Sequence, residues 1–250
     1  MGSEFEGPRT AIVTGGAKRI GAAIARGLAA DGWHVLIHYR DSEAEARALA
    51  SELGAASIVQ AELADPAAAQ RILAAADGLP ALRLLVNSAS RFVYDAAEDF
   101  TAEGWDDHLD VNLRAPALLS QAFAARVDAG LIVNMLDAKL TQPNPDFFSY
   151  TVSKMGFAGL TELLARALAP RIRVCAIAPS VVFVSGPQSL ENFDKVHKVN
   201  ALGRGVEASD VVAALRFIIA SPALTGHTIT IDGGQRFLSL GRDVQFLEPA

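Results

Sequence analysis

The sequence predicts an α/β fold in which helices cover both faces of a parallel, doubly wound sheet. Short apolar runs alternate with longer Ala/Leu-rich stretches of helical period along the chain. Continuous apolar runs such as LRLLVN lack the in–out alternation of a strand with one solvated face, so they fit a sheet that is covered on both faces. A chain of 250 residues is also long enough to bury one large core. These observations together predict seven strands in one domain.

The elements follow one another in a regular order, each predicted strand preceding its predicted helix. The pairs are TAIVTG and 20–31, HVLIHY and 42–53, ASIVQAEL and 66–77, LRLLVNSAS and 105–127, GLIVNML and 151–168, IRVCAIAP and 208–220, followed by a last strand, TITIDGG.

The domain is expected to be undivided, since no repeat, low-complexity segment or linker marks a boundary within residues 8–250. Residues 1–7, MGSEFEG, look like expression-vector residue and are set aside. The stretch from about 180 to 207 has no repetitive pattern and follows the carboxyl end of the sixth strand. Because ligands bind at that edge of such sheets, this stretch is a candidate lid, and the sequence leaves open whether its loop 184–200 closes on a substrate.

The composition favours small-molecule chemistry. A formal net charge of -6 without a basic run argues against a nucleic-acid partner. The single cysteine, Cys175, cannot form an internal disulfide and lies in an apolar strand. No segment has the pattern of a signal peptide or a membrane span, so we expect a cytoplasmic protein without membrane contact. The histidines show no metal-ligand spacing, and no metal is predicted.

A glycine-rich turn, TGGAKRIG, links the first strand to the first helix. At this position, backbone N–H groups and the helix dipole can hold a pyrophosphate. Gly15 permits the tight turn, and Gly21 lets the helix lie close to the sheet. The turn therefore predicts a dinucleotide site.

The end of the second strand indicates which dinucleotide binds. Where an acid would hold a ribose 2′-hydroxyl, the sequence has Tyr39, Arg40 and Ser42. Arg40 can pair with a 2′-phosphate and stack on adenine, which favours NADP(H) over NAD(H). Asp41 leaves an alternative open, because its carboxylate could bond a ribose instead.

Tyr150 and Lys154 lie one turn apart at the start of a predicted helix, so their side chains share a face. A nearby ammonium group favours the phenolate. We therefore expect Lys154 to lower the pKa of Tyr150 toward neutrality and make the phenol a proton donor or acceptor.

Five motifs carry a family resemblance: TGxxxxxG at 14–21, NSAS at 87–90, Asn112 in DVNL, YTVSK at 150–154 and the terminal IDGG. With them the chain resembles the short-chain dehydrogenase/reductases from residue 9 to about 237. The resemblance implies a Rossmann-type three-layer α/β/α sandwich. It also implies that Tyr150 is the catalytic acid/base, that Lys154 binds the nicotinamide ribose and tunes the tyrosine, and that Asn112 helps to hold a proton-relay water.

The same resemblance implies a cofactor-binding set and an assembly. The cofactor residues would be Gly15, Arg19, Ile20, Gly21, Tyr39, Arg40, Ser42, Glu62, Leu63, Asn87, Ala89, Ser90, Tyr150, Lys154, Pro179 and Ser180. Family members usually form tetramers through helices equivalent to 105–127 and 151–168. We therefore expect a homotetramer, although the small residues on those helices would equally serve an intrachain core.

Asp137 departs from the family pattern, which places a serine thirteen residues before the tyrosine. A serine hydroxyl donates a hydrogen bond to a carbonyl oxygen, whereas an ionised carboxylate accepts hydrogen bonds only. Asp137 therefore suits a substrate with N–H donors, such as a pterin. A carboxylic acid with a pKa raised by burial, or one that relays a proton from Tyr150, could protonate a ring nitrogen.

Three further positions resemble the pteridine reductase branch. Arg19 replaces the middle glycine of the turn, and Phe92 follows the NSAS segment. Ser180 stands where many relatives have glycine, which is similar to the bacterial dihydromonapterin reductases. In that branch the arginine reaches both cofactor and pterin, and the aromatic ring stacks on the pterin opposite the nicotinamide. The implied substrate contacts are Arg19, Ser90, Phe92, Asp137 and Tyr150, with Ser180 beside the substrate or the cofactor.

Other readings of these residues remain open at this point. Asp137 could be a loop acid, Arg19 a surface charge and Phe92 a core residue. The protein could accordingly be an NADPH-dependent reductase of a pterin, a reductase of another carbonyl or imine, or a non-catalytic NADPH-binding protein.

Overall fold

One parallel sheet organises the molecule. The computed structural model describes residues 5–185 and 188–247. The strands within these residues are β1 Arg9–Val13, β2 His34–Tyr39, β3 Ala56–Gln60, β4 Ala81–Asn87, β5 Gly130–Met135, β6 Ile172–Pro179 and β7 Thr228–Ile231. They pair in the order β3-β2-β1-β4-β5-β6-β7, and every pair is parallel. The order reverses between β1 and β4, which makes the sheet doubly wound, and the predicted fold class is confirmed.

Helices flank the sheet on both sides. They are α1 Arg19–Ala30, α2 Glu43–Leu53, α3 Ala68–Ala74, α4 Ala102–Leu109, α5 Ala115–Arg126, α6 Phe148–Leu168, α7 Leu190–Val196 and α8 Ala208–Ala220. A π-helical turn at Asp110–Arg114 divides the predicted helix 105–127 into α4 and α5. The short α7, capped by the Ser189 hydroxyl, lies in the segment predicted as a loop. Seven residues are too few for a helical period to stand out in the sequence.

The apolar strands contribute side chains to two hydrophobic cores, one on each face of the sheet. In β1, Ala11 and Val13 pack with α1, α2 and α8, whereas Ile12 between them packs with α3 and α5. The same alternation recurs in β5, where Ile132 faces the side opposite to Leu131. Successive side chains of a strand point to opposite faces, so a strand buried on both faces must be apolar throughout. This three-layer arrangement accounts for runs such as LRLLVN.

The N-terminal segment contributes to the packing. Phe5 is buried and meets Trp33 edge to face, with ring centroids 5.8 Å apart. The guanidinium of Arg9 lies 4.7 Å from the centre of the same indole ring. Residues 1–4 of the proposed expression-vector segment 1–7 lie outside the described residues, and the origin of the segment stays a prediction. Among the helices that the structure describes, none has the length and hydropathy needed to cross a bilayer.

Candidate active site

A cavity of about 610 Å³ opens at the carboxyl edge of the sheet. Every strand contributes a residue to its wall just beyond the strand's last residue. These residues are Gly15, Arg40, Leu63, Ser90, Asp137, Ser180 and Asp232. Because the strands are parallel, side chains from distant parts of the sequence converge at this edge.

The glycine-rich turn forms one end of the cavity. Gly15 has φ 61°, in the left-handed region that favours glycine. A Cβ on Gly21 would lie 2.2 Å from the carbonyl oxygen of Gly15, so the helix start and the turn are in direct contact. Gly15 therefore has the conformation of a tight turn, and Gly21 allows the start of α1 to approach that turn. The arrangement leaves the amino end of α1 facing the cavity, where a phosphate group would be held.

His38 holds this turn in place and is absent from the predicted site. The Gly15 N–H donates to His38 Nδ1 over 3.1 Å, and His38 Nε2 donates to the Ala61 carbonyl over 3.0 Å. These partners require the neutral Nε2–H form of the imidazole. Burial lowers the pKa of His38, which favours that form. No sequence motif identifies a histidine in the second strand as a support for the turn of the first.

The end of β2 presents a cation to the cavity. Arg40 lines the wall with its side chain 49% exposed, and its Nε lies 2.6 Å from Asp41 Oδ2. Glu62 stands nearby, with 3.8 Å between its Oε2 and the same Nε. The Asp41 carboxylate therefore forms an ion pair with Arg40. Tyr39 and Ser42 line the same part of the wall.

Tyr150, Asp137 and Lys154 meet at the other end of the cavity. Both Tyr150 and Lys154 come from the first turns of α6 and are buried. The Tyr150 hydroxyl donates to Asp137 Oδ2 over 2.6 Å, while Asp137 Oδ1 accepts from the Lys139 backbone N–H over 2.8 Å. Lys154 Nζ donates to the Met135 carbonyl over 2.8 Å and lies 5.7 Å from the centre of the phenol ring.

The pKa of Tyr150 moves in the direction opposite to the one expected from the sequence. Burial of the phenol raises its pKa well above 10.0, and the carboxylates of Asp137 and Asp243 raise it further. Burial also lowers the pKa of Lys154 to about 8. The expectation failed because it counted the ammonium group but not the desolvation of the phenol or the negative charge beside it. Tyr150 is therefore a neutral proton donor in this state.

Asn112 and Asn87 lie behind the cavity wall. Asn112 is fully buried in the π-helical turn, and its side-chain oxygen accepts from the Arg91 N–H over 2.7 Å. Its amide group donates to the Arg91 carbonyl and to Ser153 Oγ, each over 2.9 Å. The side chain is thus occupied in positioning the loop after β4 against α6. Asn87 donates to Asn134 Oδ1 of the neighbouring strand over 2.9 Å, so its side chain joins two strands and does not face the cavity.

The chain is similar to known proteins. Residues 15–236 match the family model described as enoyl-(acyl carrier protein) reductase. Dehydrogenase/reductase SDR family member 4 of Homo sapiens is 32% identical over 244 residues, which cover 90% of this chain and 87% of that protein. The chain belongs to the short-chain dehydrogenase/reductase family.

Two further relatives in this family have more specific names. Pteridine reductase 1 of Leishmania tarentolae is 34% identical over 277 residues, with 90% of this chain and 95% of that protein covered. The crystal structure of FolM alternative dihydrofolate reductase 1 from Brucella canis, complexed with NADP, has a TM-score of 0.86 to this chain. It is 38% identical and covers 91% of this chain and 94% of its own.

The cavity of this short-chain dehydrogenase/reductase brings together the remaining residues that the sequence singles out. Its wall includes, besides those placed above, Arg19, Ile20, Ala89, Phe92 and Pro179. Arg19 has φ 53°, so the chain keeps the left-handed conformation of a glycine at this position. Its Nη2 donates to Ser185 Oγ over 3.0 Å, which ties the glycine-rich turn to the start of the proposed lid.

Phe92 is packed against another aromatic ring. It stacks on Phe147 with the ring centroids 4.2 Å apart and meets Tyr150 edge to face at 4.7 Å. Since Phe147 occupies one face, at most the other face of Phe92 is open to a substrate. Phe147 has φ 54° immediately before α6, a strained conformation of the kind that clusters at functional sites.

The C-terminal segment 240–247, here called the strap, forms a wall that sequence reasoning missed. Arg242 Nε lies 3.0 Å and 2.8 Å from the two carboxylate oxygens of Asp146, and the Asp243 N–H donates to Asp146 Oδ2 over 2.7 Å. The Gln245 carbonyl accepts from Asn192 Nδ2 of α7 over 3.2 Å. The strap therefore connects the proposed lid to the loop between Asp137 and α6.

The proposed lid 184–200 is described in part. Residues 186–187 lie outside the described residues, while Ser185 and Gln188 line the cavity. Its role in closure stays a prediction. Within the described residues no group of three or more His, Cys, Asp or Glu side chains is arranged to hold a metal ion.

Proposed function

We propose that this protein is an NADPH-dependent pterin reductase that reduces a carbon–nitrogen double bond of a dihydropterin. The observation that carries the proposal is the hydrogen bond of 2.6 Å between Tyr150 and Asp137 at the substrate end of the cavity. It places a carboxylate at the point where most family members offer a serine hydroxyl.

The protein uses NADP(H). The glycine-rich turn and the start of α1 suit a pyrophosphate, because backbone N–H groups at a helix start can hold a phosphate and Gly21 allows the helix start to lie against the turn. Lys18 and Arg40 line the same end of the cavity and supply positive charge for phosphate groups. The FolM structure from Brucella canis, which contains NADP, supports this assignment. When bound, the nicotinamide supplies a hydride.

The acceptors around the substrate end favour a substrate that donates hydrogen bonds. Asp137 and Asp243 line the wall together with Asn144, whose side-chain oxygen is shielded and has no hydrogen-bond partner among the described residues. A ketone oxygen would face the Asp137 and Asp243 carboxylates, which when ionised can only accept hydrogen bonds, and such a contact is unfavourable. A pterin presents N–H groups along its edges, so it matches the wall.

Proton delivery follows from the same pair. Addition of a hydride to the carbon of a C=N bond leaves the nitrogen electron-rich and strongly basic. Tyr150 keeps its proton because burial and Asp137 raise its pKa, and such a base can still remove it. After this transfer Tyr150 is a phenolate. Its hydrogen-bond contact with Asp137 lets the two groups titrate as a pair when a proton is taken up again. The balance is dihydropterin, NADPH and one proton giving tetrahydropterin and NADP⁺.

Two relatives support this substrate class. Their names, pteridine reductase 1 and FolM alternative dihydrofolate reductase 1, refer to reduced or reducible pterin rings. Identities of 34% and 38% are compatible with a shared substrate class, but fold and family do not by themselves determine a substrate. Asp137 and the other acceptor groups of the cavity wall are what favour a pterin within this family.

The test is the loss of NADPH absorbance with purified protein. 7,8-Dihydromonapterin and 7,8-dihydrobiopterin are compared with a panel of ketones and acetoacetyl thioesters at equal concentrations. We expect turnover with the pterins only. Turnover with the carbonyl compounds only would overturn the substrate class and leave the family in place, and NADPH binding without any turnover would overturn the enzymatic role.

We also propose a homotetramer. Helix α6 leaves Met155 and Leu163 exposed, with 44% and 66% of their surfaces accessible, which provides an apolar face for a second copy. The mass in solution, measured by light scattering after size-exclusion chromatography, tests this assembly. A monomeric mass at micromolar concentration would contradict it.

A further inference from the structure

A partly buried carboxylate at the substrate end takes no part in the proton transfer described above. Asp243 is carried by the strap, lines the cavity and has only 18% of its side-chain surface accessible. Its Oδ1 accepts one hydrogen bond, from the Gln245 N–H over 3.2 Å. Its Oδ2 lies 3.6 Å from Lys139 Nζ, which is longer than an ordinary hydrogen bond.

Asp146, a neighbouring carboxylate, differs from Asp243 in the number of hydrogen bonds that it accepts. It is buried and accepts from Arg242 through both oxygens and from the Asp243 backbone N–H. These donors lower its pKa although burial acts in the opposite direction. Asp146 therefore fastens the strap and has no need of a ligand.

Asp243 has fewer partners than Asp146, namely the Gln245 N–H and the Lys139 ammonium group at 3.6 Å. An ionised carboxylate has about four acceptor positions, and burial of an ion with few donors is costly. Burial raises the pKa of Asp243, and the nearby charges of Asp137 and Asp146 raise it as well, while Lys139 acts in the opposite direction. Lys139 itself donates to the Asp146 carbonyl, so it is shared between two groups. Asp243 lines the cavity, so a donor group of a bound substrate can supply a further partner.

We propose that Asp243 is a specificity-determining residue that accepts a hydrogen bond from an N–H or O–H donor of the substrate, at a point separate from the Asp137–Tyr150 pair. The inference rests on the proposed pterin reduction and adds a second recognition point to it. With two carboxylates at separate points of the wall, the site selects molecules that carry two separated donor groups and disfavours those with one. The donor belongs either to the pterin ring or to the hydroxyl groups of its side chain.

The strap gives this residue its position. Arg242 and Asp243 follow one another, so the first anchors the segment on Asp146 while the second faces the cavity. Phe246 adds a stacked contact with Phe147 at 5.9 Å between ring centroids. The carboxylate is thus held on a segment with several anchors, as a recognition group must be to discriminate between substrates.

The experiment compares Asp243→Ala with wild-type protein on two substrates, 7,8-dihydromonapterin and 6-methyl-7,8-dihydropterin, which lacks side-chain hydroxyls. We expect the KM for 7,8-dihydromonapterin to rise roughly tenfold or more, with a smaller change in kcat and an unchanged KM for NADPH. A rise with both substrates assigns the donor to the ring. A rise with 7,8-dihydromonapterin alone assigns it to the side chain, and both results support the proposal.

Asp194→Asn is the matched control. Asp194 is exposed on α7, outside the cavity wall, and its substitution changes the net charge by the same amount. It should leave both KM values unchanged, and the melting temperature of each variant reports on folding. A folded Asp243→Ala protein with wild-type KM values for both pterins would overturn the role of Asp243 and leave pterin reduction intact. Absence of pterin turnover in the wild-type protein would overturn both.

Discussion

The Tyr150 hydroxyl donates a hydrogen bond to Asp137 Oδ2 over 2.6 Å, although the two residues come from different elements. Asp137 follows β5 and caps a short 3₁₀ turn, whereas Tyr150 belongs to α6. The contact makes the two groups one unit in which the carboxylate raises the pKa of the phenol. Several properties of the enzyme follow from this pair and from the groups around it.

Asp137→Ser should abolish pterin turnover. The substitution restores the residue that most family members have and removes the acceptor for a substrate N–H group. We expect kcat/KM for 7,8-dihydromonapterin to fall by at least about a hundredfold, as for loss of a general acid–base partner. Steady-state assays with NADPH measure the change, and a gain of ketone reduction would accompany it. An Asp137→Ser protein that still reduces the pterin at the wild-type rate would refute the role of this carboxylate.

Arg40→Ala should weaken NADPH binding selectively. Charge-assisted hydrogen bonds to the 2′-phosphate contribute to the free energy of NADPH binding. Because Arg40→Ala removes them, we expect the KM for NADPH to rise roughly ten- to hundredfold. The KM for NADH should change little, because NADH has no 2′-phosphate. The two KM values should therefore become more similar. Arg47→Ala is the control, because Arg47 is exposed on α2 and pairs with Glu43 away from the cavity. Equal effects of both substitutions would contradict the assignment of Arg40.

The lowered pKa of Lys154 should make the stability of the folded protein depend on pH. Its pKa falls from 10.5 to about 8 in the folded protein, so the unfolded state binds more protons between these values. The free energy of unfolding of the wild-type protein should therefore rise with pH in this window relative to Lys154→Met. The relative change approaches about 3 kcal/mol over the full window. Urea unfolding without cofactor at pH 7.5, 9 and 10 measures it, and a pH-independent difference between the two proteins would argue against the lowered pKa.

Protonation of His38 at low pH should destabilise the folded protein. Its pKa is lowered from 6.5 by burial, so the folded state favours the neutral ring. The stability that His38 contributes is present above pH 6.5 and is lost as the pH falls through the lowered pKa. The free energy of unfolding of the wild-type protein, relative to His38→Asn, should therefore decrease as the pH falls below 6.5, and urea unfolding at a series of pH values measures it.

The same variant should bind NADPH more weakly at neutral pH, because His38 Nδ1 accepts the Gly15 N–H and fixes the turn. Fluorescence titration of NADPH measures this effect. His227→Asn serves as the comparison, since His227 is exposed and lies outside the cavity wall. Unchanged NADPH affinity in His38→Asn would show that the turn does not need this support.

Much of the site could be predicted because its signals are local. The TGGAKRIG turn, the i, i+4 spacing of Tyr150 and Lys154 and the cation after β2 each lie within a few residues of one another. The parallel sheet then places the ends of all strands at one edge, so residues identified separately line one cavity. Asn87 is the exception among the strand ends, because its side chain turns to Asn134 inside the sheet.

By itself, the sequence determined the doubly wound sheet, the family and the placement of Tyr150 and Lys154 on one face of a helix, because hydrophobic period and motif spacing depend on near neighbours in the chain. The tertiary structure decided the direction of the Tyr150 pKa, the support of the turn by His38 and the place of Asp243 in the cavity. These properties depend on burial and on charges brought together from distant parts of the chain. Asp243 and Asp146, for example, meet across 97 positions. A pKa or an open acceptor is a property of the assembled surroundings, and no local pattern of residues encodes it.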